Sequence, residues 1–120
     1  MLDEKQLELL SKQKTVALTT ANSDGQPRSI FVEINKIDND HMIITDNHMM
    51  KTIENIKQNN KVFILAYQED YNYIIYITGE ASYIESSELF DFVKNNPDND
   101  GYQPKGAIDI KINQVEEMTF

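Results

Sequence analysis

The fold class is decided by residues 15–37, TVALTTANSDGQPRSIFVEINKI. Thr15 to Ala21 is β-branched and apolar, which predicts a strand. Gln26 to Ile37 alternates, with Ile30, Val32 and Ile34 on one face, which predicts a second strand. The turn Asn22-Ser23-Asp24-Gly25 supplies the positive φ that a tight hairpin needs. The stretch is therefore typical of an antiparallel β-hairpin.

The rest of the chain continues this pattern of strands and polar turns. We predict further strands at His41–Thr45, Lys61–Tyr67, Tyr71–Ile84 and Gly106–Ile112, short helices at Leu2–Lys12, Met50–Gln58 and Ser86–Lys94, and a polar loop from Asn95 to Lys105. Gly79, inside a strand, predicts a bend or a bulge. Six antiparallel strands most economically close into a small barrel. The expected fold is mainly β, with one domain over residues 1–120.

Composition and charge narrow the function classes. The chain has 120 residues, no cysteine and a net charge of −9. The absence of cysteine excludes disulfides and thiolate chemistry, and the acidic balance disfavours nucleic acid and anionic membranes. His41 and His48 are too few for a zinc site, and no Ser-His-Asp arrangement stands out. We predict no catalytic or metal-ligating side chain, and no apolar leader in residues 1–12, hence a cytoplasmic protein.

Two strands are apolar on both faces: residues 73–77, YIIYI, and residues 62–67, VFILAY. One face can line the barrel interior, but the other needs a cover. The predicted helices are short for this task. We therefore expect a homodimer, with cover by the helices as the alternative.

The candidate site lies in residues 45–57, TDNHMMKTIENIK, where a strand ends and a helix begins at once. The first turn of a helix presents free N–H groups and a partial positive charge, which suits phosphate. Lys51 and Thr52 lie in that turn, and Asn55 follows Lys51 at helical spacing. A cation there opposes the helix dipole by about 0.3–1 kcal/mol. Taken singly, each residue also fits an ordinary exposed or helix-start position, and Asp46 or Asn47 could cap the helix.

The order of these features resembles the split β-barrel flavin-binding proteins of the pyridoxamine 5'-phosphate oxidase-like superfamily. The resemblance runs from about Thr15 to about Glu117. It is carried by residues 16–20 (VALTT), 24–28 (DGQPR), 31–34 (FVEI), 51–56 (KTIENI), 59–62 (NNKV) and 79–81 (GEA).

The resemblance implies a six-stranded barrel that dimerises, with FMN bound in a cleft between the subunits. Lys51 and Thr52 would reach the FMN phosphate, within a segment that includes Asn55. Thr45, Asp46 and Asn47 would lie near the isoalloxazine ring or the ribityl chain. Residues 29–32 would line the other wall, and either Arg28 or Lys57 could provide a second basic group at the phosphate.

The resemblance implies an FMN-dependent oxidoreductase that acts on a small-molecule substrate or electron donor. Because the flavin ring carries out the redox chemistry, no side chain needs to act as acid or base. The alternatives are a non-enzymatic flavin-binding or electron-transfer module and a relative that binds haem or a deazaflavin. The basic C-terminal part of the true pyridoxamine phosphate oxidases has no counterpart before Phe120, so we expect no oxidation of pyridoxamine phosphate.

Overall fold

Six antiparallel strands and two helices make up the chain in a computed structural model, which describes residues 1–47, 49–85 and 106–120. In chain order they are α1 (Glu4–Lys12), β1 (Thr15–Ala21), β2 (Pro27–Ile37), β3 (His41–Asp46), α2 (Met50–Gln58), β4 (Lys61–Tyr67), β5 (Tyr73–Ile84) and β6 (Gly106–Thr119). The strands close into a barrel in the order β1-β2-β3-β6-β5-β4. The predicted barrel is confirmed.

The interior of the barrel is filled by the alternating apolar residues of all six strands. The fully buried strand residues include Val16, Leu18, Met42, Ile44, Ile64, Ile75, Ile77, Ile108 and Ile110. Closure pairs β1 with both β2 and β4, so neither edge of β1 is left free. The opposite faces of β2, β4 and β5 point outward, and this alternation places Phe31, Phe63 and Tyr76 on the outside of the barrel.

The pairing of β5 with β6 contains a bulge that a glycine makes possible. The register shifts between Thr78 and Gly79, as the sequence predicted for a glycine inside a strand. A Cβ atom on Gly79 would lie 2.6 Å from the Lys111 carbonyl oxygen. The β6 prediction was too short, because the strand continues past Ile112 to Thr119 along the first half of β5. Residues 113–119 are largely exposed and polar, so they lack the apolar alternation that marks a strand.

Helix α1 is attached near the start of β5 and the end of β6. Asp3 and Gln6 form a capping box at its N-terminus. The Gln6 amide also donates to Glu117 of β6 (Nε2···Oε2 3.1 Å), and the Tyr73 hydroxyl donates to the same carboxylate. These hydrogen bonds lower the pKa of Glu117 from its ordinary value, the Tyr73 bond most.

Helix α2 lies at the opposite end of the barrel, where it contacts β1 and β5. Its predicted bounds are confirmed, and Thr52, Ile53 and Ile56 form its buried face. The predicted cap is wrong: the N-cap residue is Met49, and no side chain caps the helix. Asp46 instead accepts a hydrogen bond from the Met49 N–H at 2.8 Å, one residue before the helix begins.

Two predictions fall outside the described residues: the helix at Ser86–Lys94 and the loop from Asn95 to Lys105. The strand predicted from Tyr71 begins at Tyr73, because Tyr71 adopts a positive φ of 63° in the turn before it. Neither α1 nor α2 is long and apolar enough to span a membrane.

We expect Gly79→Ala to lower the free energy of unfolding by about 1–3 kcal/mol, since the added methyl group would press on the β6 backbone. Urea denaturation of both proteins measures this. Ser82→Ala, at an exposed position of the same strand, is the control and should change the value by less than about 0.5 kcal/mol. If Gly79→Ala were as stable as wild type, the close approach of position 79 to the Lys111 carbonyl oxygen would be contradicted.

The lowered pKa of Glu117 predicts a pH-dependent contribution to stability. A carboxyl group with a lowered folded-state pKa stabilises the fold above its ordinary value of 4.5, and this is lost as pH falls through the folded-state value. Wild type should therefore exceed Glu117→Gln in unfolding free energy at pH 6–7, with the gap closing towards pH 3. Glu116→Gln, which removes a carboxylate that contacts Gln114, is the control. A gap independent of pH would refute this assignment.

Candidate functional site

A polar pocket of about 400 Å³ lies between α2 and the turn that joins β1 to β2. Its lining residues are Asn22, Gln26, Pro27, Arg28, Lys51, Glu54, Asn55 and Gln58. Four of them, Lys51, Glu54, Asn55 and Gln58, share one face of α2, because residues three or four apart along a helix are neighbours. We refer to this pocket as the α2 pocket.

Two hydrogen bonds position α2 against the hairpin and so shape the α2 pocket. The Asn55 Nδ2 donates to the buried Thr20 hydroxyl at 3.1 Å, and the Ser23 N–H donates to Gln58 Oε1 at 3.0 Å. Asn22 in turn accepts the N–H groups of Asp24 and Gln26, which fixes the hairpin turn. The predicted site residue Asn55 therefore lines the pocket and also holds its helix in place.

The α2 pocket combines two cations that are far apart in the sequence. The Arg28 and Lys51 side chains are both exposed in its wall, and neither forms an ion pair among the described residues. Glu54 is the one carboxylate among the described lining residues, and the first turn of α2 carries no acidic residue. In a chain of net charge −9, this is a local excess of positive charge suited to an anion.

The structure does not bring Lys57 to the α2 pocket. Its ammonium group lies 4.0 Å from the Glu85 carboxylate and 5.3 Å from the centre of the Tyr83 ring. Of the two residues that the sequence left open as a second basic group, Arg28 shares the pocket with Lys51, and Lys57 lies on another face of α2.

The predicted site residues Thr52 and Thr45 are both buried, Thr52 at 2% exposure and Thr45 at 5%. Thr52 belongs to the buried face of α2 and is absent from the α2 pocket lining. The Thr45 N–H and hydroxyl both donate to Asn35 Oδ1, at 2.8 and 2.6 Å. Asn35 lies at the register shift between β2 and β3, so its side chain replaces a missing strand hydrogen bond.

Asp46 is a buried carboxylate that joins three elements. One oxygen accepts the Met49 N–H, and the other accepts the Tyr83 hydroxyl at 2.5 Å. Burial, together with this hydrogen bond, raises the pKa of Tyr83 well above its usual range. A Cβ atom on Gly106 would lie 2.6 Å from the Tyr83 hydroxyl oxygen, so a glycine is needed there. Asp46 thus connects the end of β3 to α2 and β5.

Asn47 is half-buried directly after β3, and its buried Oδ1 has no hydrogen-bond partner among residues 1–47, 49–85 and 106–120. A buried acceptor without a partner costs about 1–3 kcal/mol, so such atoms are rare in folded proteins. Among the predicted site residues that the structure describes, Asn47 is therefore the one with a buried side-chain atom that lacks a hydrogen-bond partner. This is the behaviour expected of a group that contacts a ligand.

The α2 pocket offers several hydrogen-bond donors to an anionic group. Two cations and the Asn55 and Gln58 amides can donate to a phosphate group. No described lining residue is aromatic, so this pocket alone offers no flat apolar wall to an isoalloxazine ring.

Aromatic side chains lie instead on the outer face of the barrel. Phe31 is 72% exposed, and the Phe63 and Tyr76 rings are in contact, with centroids 6.2 Å apart. Of the wall predicted at residues 29–32, Ser29 and Phe31 point outward, whereas Val32 is buried in the core.

The turn between β4 and β5 carries a strained aromatic residue. Tyr71 is the one described residue other than glycine with a positive φ, at 63°. That conformation costs about 1–2 kcal/mol for a side-chain-bearing residue. The Tyr71 ring stacks on the Tyr67 ring, with centroids 5.2 Å apart, and this contact stabilises the turn by about 0.5–1.5 kcal/mol. Tyr71 nevertheless remains 64% exposed. Burial of the ring in this chain therefore does not account for a tyrosine at this position.

Comparison with protein families gives a match along almost the whole chain. The family model described as pyridoxamine 5'-phosphate oxidase matches residues 2–119. No curated protein is similar enough in sequence to match at a significant level.

Solved structures share the fold at low sequence identity. HupZ from Group A Streptococcus is 18% identical with a TM-score of 0.89, over 99% of this chain and 95% of that chain. An FMN-binding protein from Syntrophomonas wolfei is 20% identical with a TM-score of 0.79, over 94% and 83%. HutZ, the haem storage protein of Vibrio cholerae, is 18% identical with a TM-score of 0.74, over 99% and 95%.

We expect Tyr83→Phe to lower the free energy of unfolding by about 1.5–3 kcal/mol, because it removes a hydrogen bond to the buried Asp46 carboxylate. Thermal and urea unfolding measure the loss. Tyr76→Phe is the control, since the Tyr76 hydroxyl has no hydrogen-bond partner among the described residues. If both variants were as stable as wild type, Asp46 would not have the structural role assigned to it.

Proposed function

Because the chain belongs to the pyridoxamine 5'-phosphate oxidase family, we propose that it is a cytoplasmic FMN-binding protein. In this proposal, Lys51 and Arg28 hold the FMN phosphate in the α2 pocket. The observation that carries the proposal is the pairing of these two cations, without ion-pair partners among the described residues, in one pocket of an acidic chain. Charge-assisted hydrogen bonds from lysine and arginine are the strongest that a protein offers to phosphate.

Of the remaining predicted site residues, some would contact the flavin directly and others would support the residues that do. Asn55 would add an amide near the phosphate, and the buried Thr52 would support the helix turn behind Lys51. The unpartnered Asn47 Oδ1 would accept a hydrogen bond from a donor on the ring or the ribityl chain. Thr45 and Asp46 would position Asn47 through their contacts with Asn35 and Met49.

We further propose an oxidoreductase role with a small-molecule substrate or electron donor. The flavin ring supplies the redox chemistry when bound, and the protein supplies position and a polar environment. The exposed aromatic face of the barrel supports a homodimer, because Phe31 and Phe63 would otherwise stay in water.

Haem, which the relative HutZ stores, is the main alternative ligand. A haem site commonly uses a histidine ligand to the iron. His41, the one histidine among the described residues, pairs with Asp109 (Nδ1···Oδ1 3.0 Å) at the far end of β3 from α2. The part of the chain that the structure describes therefore offers no histidine beside the α2 pocket. The phosphate-binding features therefore favour FMN.

Parallel titrations of Lys51→Ala, Arg28→Ala and wild type with FMN and with riboflavin test the proposal. Each substitution removes a charge-assisted hydrogen bond of about 1.5–3 kcal/mol, so FMN affinity should fall by about 10- to 150-fold. Riboflavin affinity should be nearly unchanged, because riboflavin has no phosphate. Flavin fluorescence measures both constants.

Lys57→Ala is the matched control, since it removes a lysine from the same helix but outside the α2 pocket. It should bind FMN like wild type. The proposal would be refuted if the wild-type protein bound haem or a deazaflavin but not FMN. If Lys51→Ala and Lys57→Ala lost FMN affinity equally, the loss would reflect the overall charge of the protein and not a contact in the α2 pocket, which would contradict the proposal. Bound flavin that no nicotinamide donor reduces would favour the non-enzymatic carrier over the oxidoreductase.

A further inference from the structure

We propose that Glu54 makes the α2 pocket select the singly charged form of a phosphate monoester. The protein then takes up a proton when it binds FMN, and it binds FMN less tightly as the pH rises. The inference rests on the proposed function, because it concerns the ionic form of the ligand in the same pocket. It gives a role to the one carboxylate among the described lining residues of a pocket that otherwise favours anions.

Glu54 shares its side of α2 with the residues that would hold the phosphate. It follows Lys51 by three residues and precedes Gln58 by four, so the three side chains are neighbours along one face of the helix. The Glu54 side chain is exposed, as are those of Lys51 and Arg28. An anion held by these two cations therefore has the Glu54 carboxylate in the same cavity.

The cations that share the pocket do not neutralise Glu54 by direct contact. Neither Lys51 nor Arg28 forms an ion pair with it, and Glu54 has no hydrogen bond among the described residues. Opposite charges three or four residues apart on a helix can form such a pair, as Glu8 and Lys12 do in α1. The Glu54 oxygens therefore remain available as acceptors, and the two cations remain available as donors.

The other charges around Glu54 have their own contacts or lie outside the α2 pocket. Glu54 also lines a neighbouring pocket along α2, whose titratable residues include Asp46, Lys57, Tyr83 and Glu85. There Lys57 lies 4.0 Å from Glu85, and the buried Asp46 carboxylate accepts the Tyr83 hydroxyl. Asp24, in the hairpin turn, is not part of the α2 pocket lining. A ligand in the α2 pocket therefore meets mainly the charges of Arg28, Lys51 and Glu54.

The charges in this lining match a singly charged ligand better than a doubly charged one. Arg28 and Lys51 contribute two positive charges and Glu54 one negative charge, so their sum is +1. A phosphate monoester loses its second proton near about pH 6, so that the dianion predominates at neutral pH. The dianion would exceed the charge of the pocket. It would also bring phosphate oxygens and a carboxylate together as acceptors with no proton between them.

A proton shared between the phosphate and Glu54 removes this conflict. The singly charged phosphate keeps one P–OH group, which can donate to the Glu54 carboxylate while the other oxygens accept from Arg28 and Lys51. An O–H group that donates to a carboxylate forms a short and strong hydrogen bond. Because free FMN is mostly the dianion above about pH 6, binding in this form takes a proton from the solvent.

Titration of wild type and Glu54→Gln with FMN at pH 6 and pH 8 tests the inference. Wild type should bind FMN about 10- to 50-fold less tightly at pH 8, because the singly charged fraction falls from about one half to about one hundredth. The affinity of Glu54→Gln should stay the same or increase towards pH 8, since two cations then face a dianion. Riboflavin, which has no phosphate, should respond neither to pH nor to the substitution. Flavin fluorescence measures all of these constants.

Two variants are matched controls for this pH profile. Glu80→Gln removes an exposed carboxylate of β5 that is outside the α2 pocket lining. His48→Asn removes the histidine that precedes α2 in the sequence, and an ordinary histidine titrates in the same pH range. Both variants should keep the wild-type profile. If either of them abolished the pH dependence while Glu54→Gln retained it, the assignment to Glu54 would be wrong.

Calorimetry counts the proton directly. FMN is titrated at pH 7.5 in two buffers that differ in their enthalpy of ionisation, and the difference in heat gives the number of protons taken up. Wild type should take up about half a proton or more for each FMN bound. Glu54→Gln should take up almost none, and neither protein should take up a proton with riboflavin.

The outcomes distinguish this inference from the proposed function. If wild type takes up no proton, or if Glu54→Gln keeps the wild-type pH profile, the inference is overturned. The proposed function still stands in that case, provided that Lys51→Ala loses FMN affinity. If Glu54→Gln loses affinity for FMN and riboflavin alike, Glu54 accepts a ribityl hydroxyl group instead, which also overturns the inference. A wild-type protein that binds no flavin overturns both proposals.

Discussion

The arrangement of the candidate site depends on how α2 is held across one end of the barrel. Three apolar or buried side chains of α2 face the core, but these alone would let a nine-residue helix rotate or slide. Two hydrogen bonds fix its position, one from the Asn55 amide to the buried Thr20 hydroxyl and one from the Ser23 N–H to Gln58. With the helix held in this way, Lys51 and Arg28 line the same pocket.

The polar residues around the start of α2 are of two kinds: those engaged in hydrogen bonds within the protein and one that could contact a ligand. Thr45 and Asp46 are buried and engaged, the first with Asn35 at the β2–β3 irregularity and the second with Met49 and Tyr83. Their hydrogen bonds turn the chain from strand to helix without a side-chain cap. Asn47, which lies between them and the helix, has a buried side-chain oxygen that finds no hydrogen-bond partner in the described part of the chain. Rigid neighbours and one free acceptor are the arrangement expected for precise contact with a ligand.

Because the chain is acidic overall, a pocket lined by two cations points to an anionic ligand. At a net charge of −9, a cation can find an anionic partner at many places on the surface, as Lys12 does with Glu8 and Lys57 with Glu85. Arg28 and Lys51 have no such partner among the described residues and share one cavity.

The sequence by itself determined the six strands, their turns and the two described helices, because apolar periodicity and turn chemistry are local properties. It also singled out Lys51, Asn55 and the bulge at Gly79. It did not reveal the end of β6, whose polar residues are ordered by pairing with β5. Only the tertiary structure showed that Arg28 and not Lys57 shares a pocket with Lys51, that Thr52 is buried, and that Tyr71 lies at the far end from the pocket. These facts depend on barrel closure, which joins residues that are distant in the chain and that no local pattern relates.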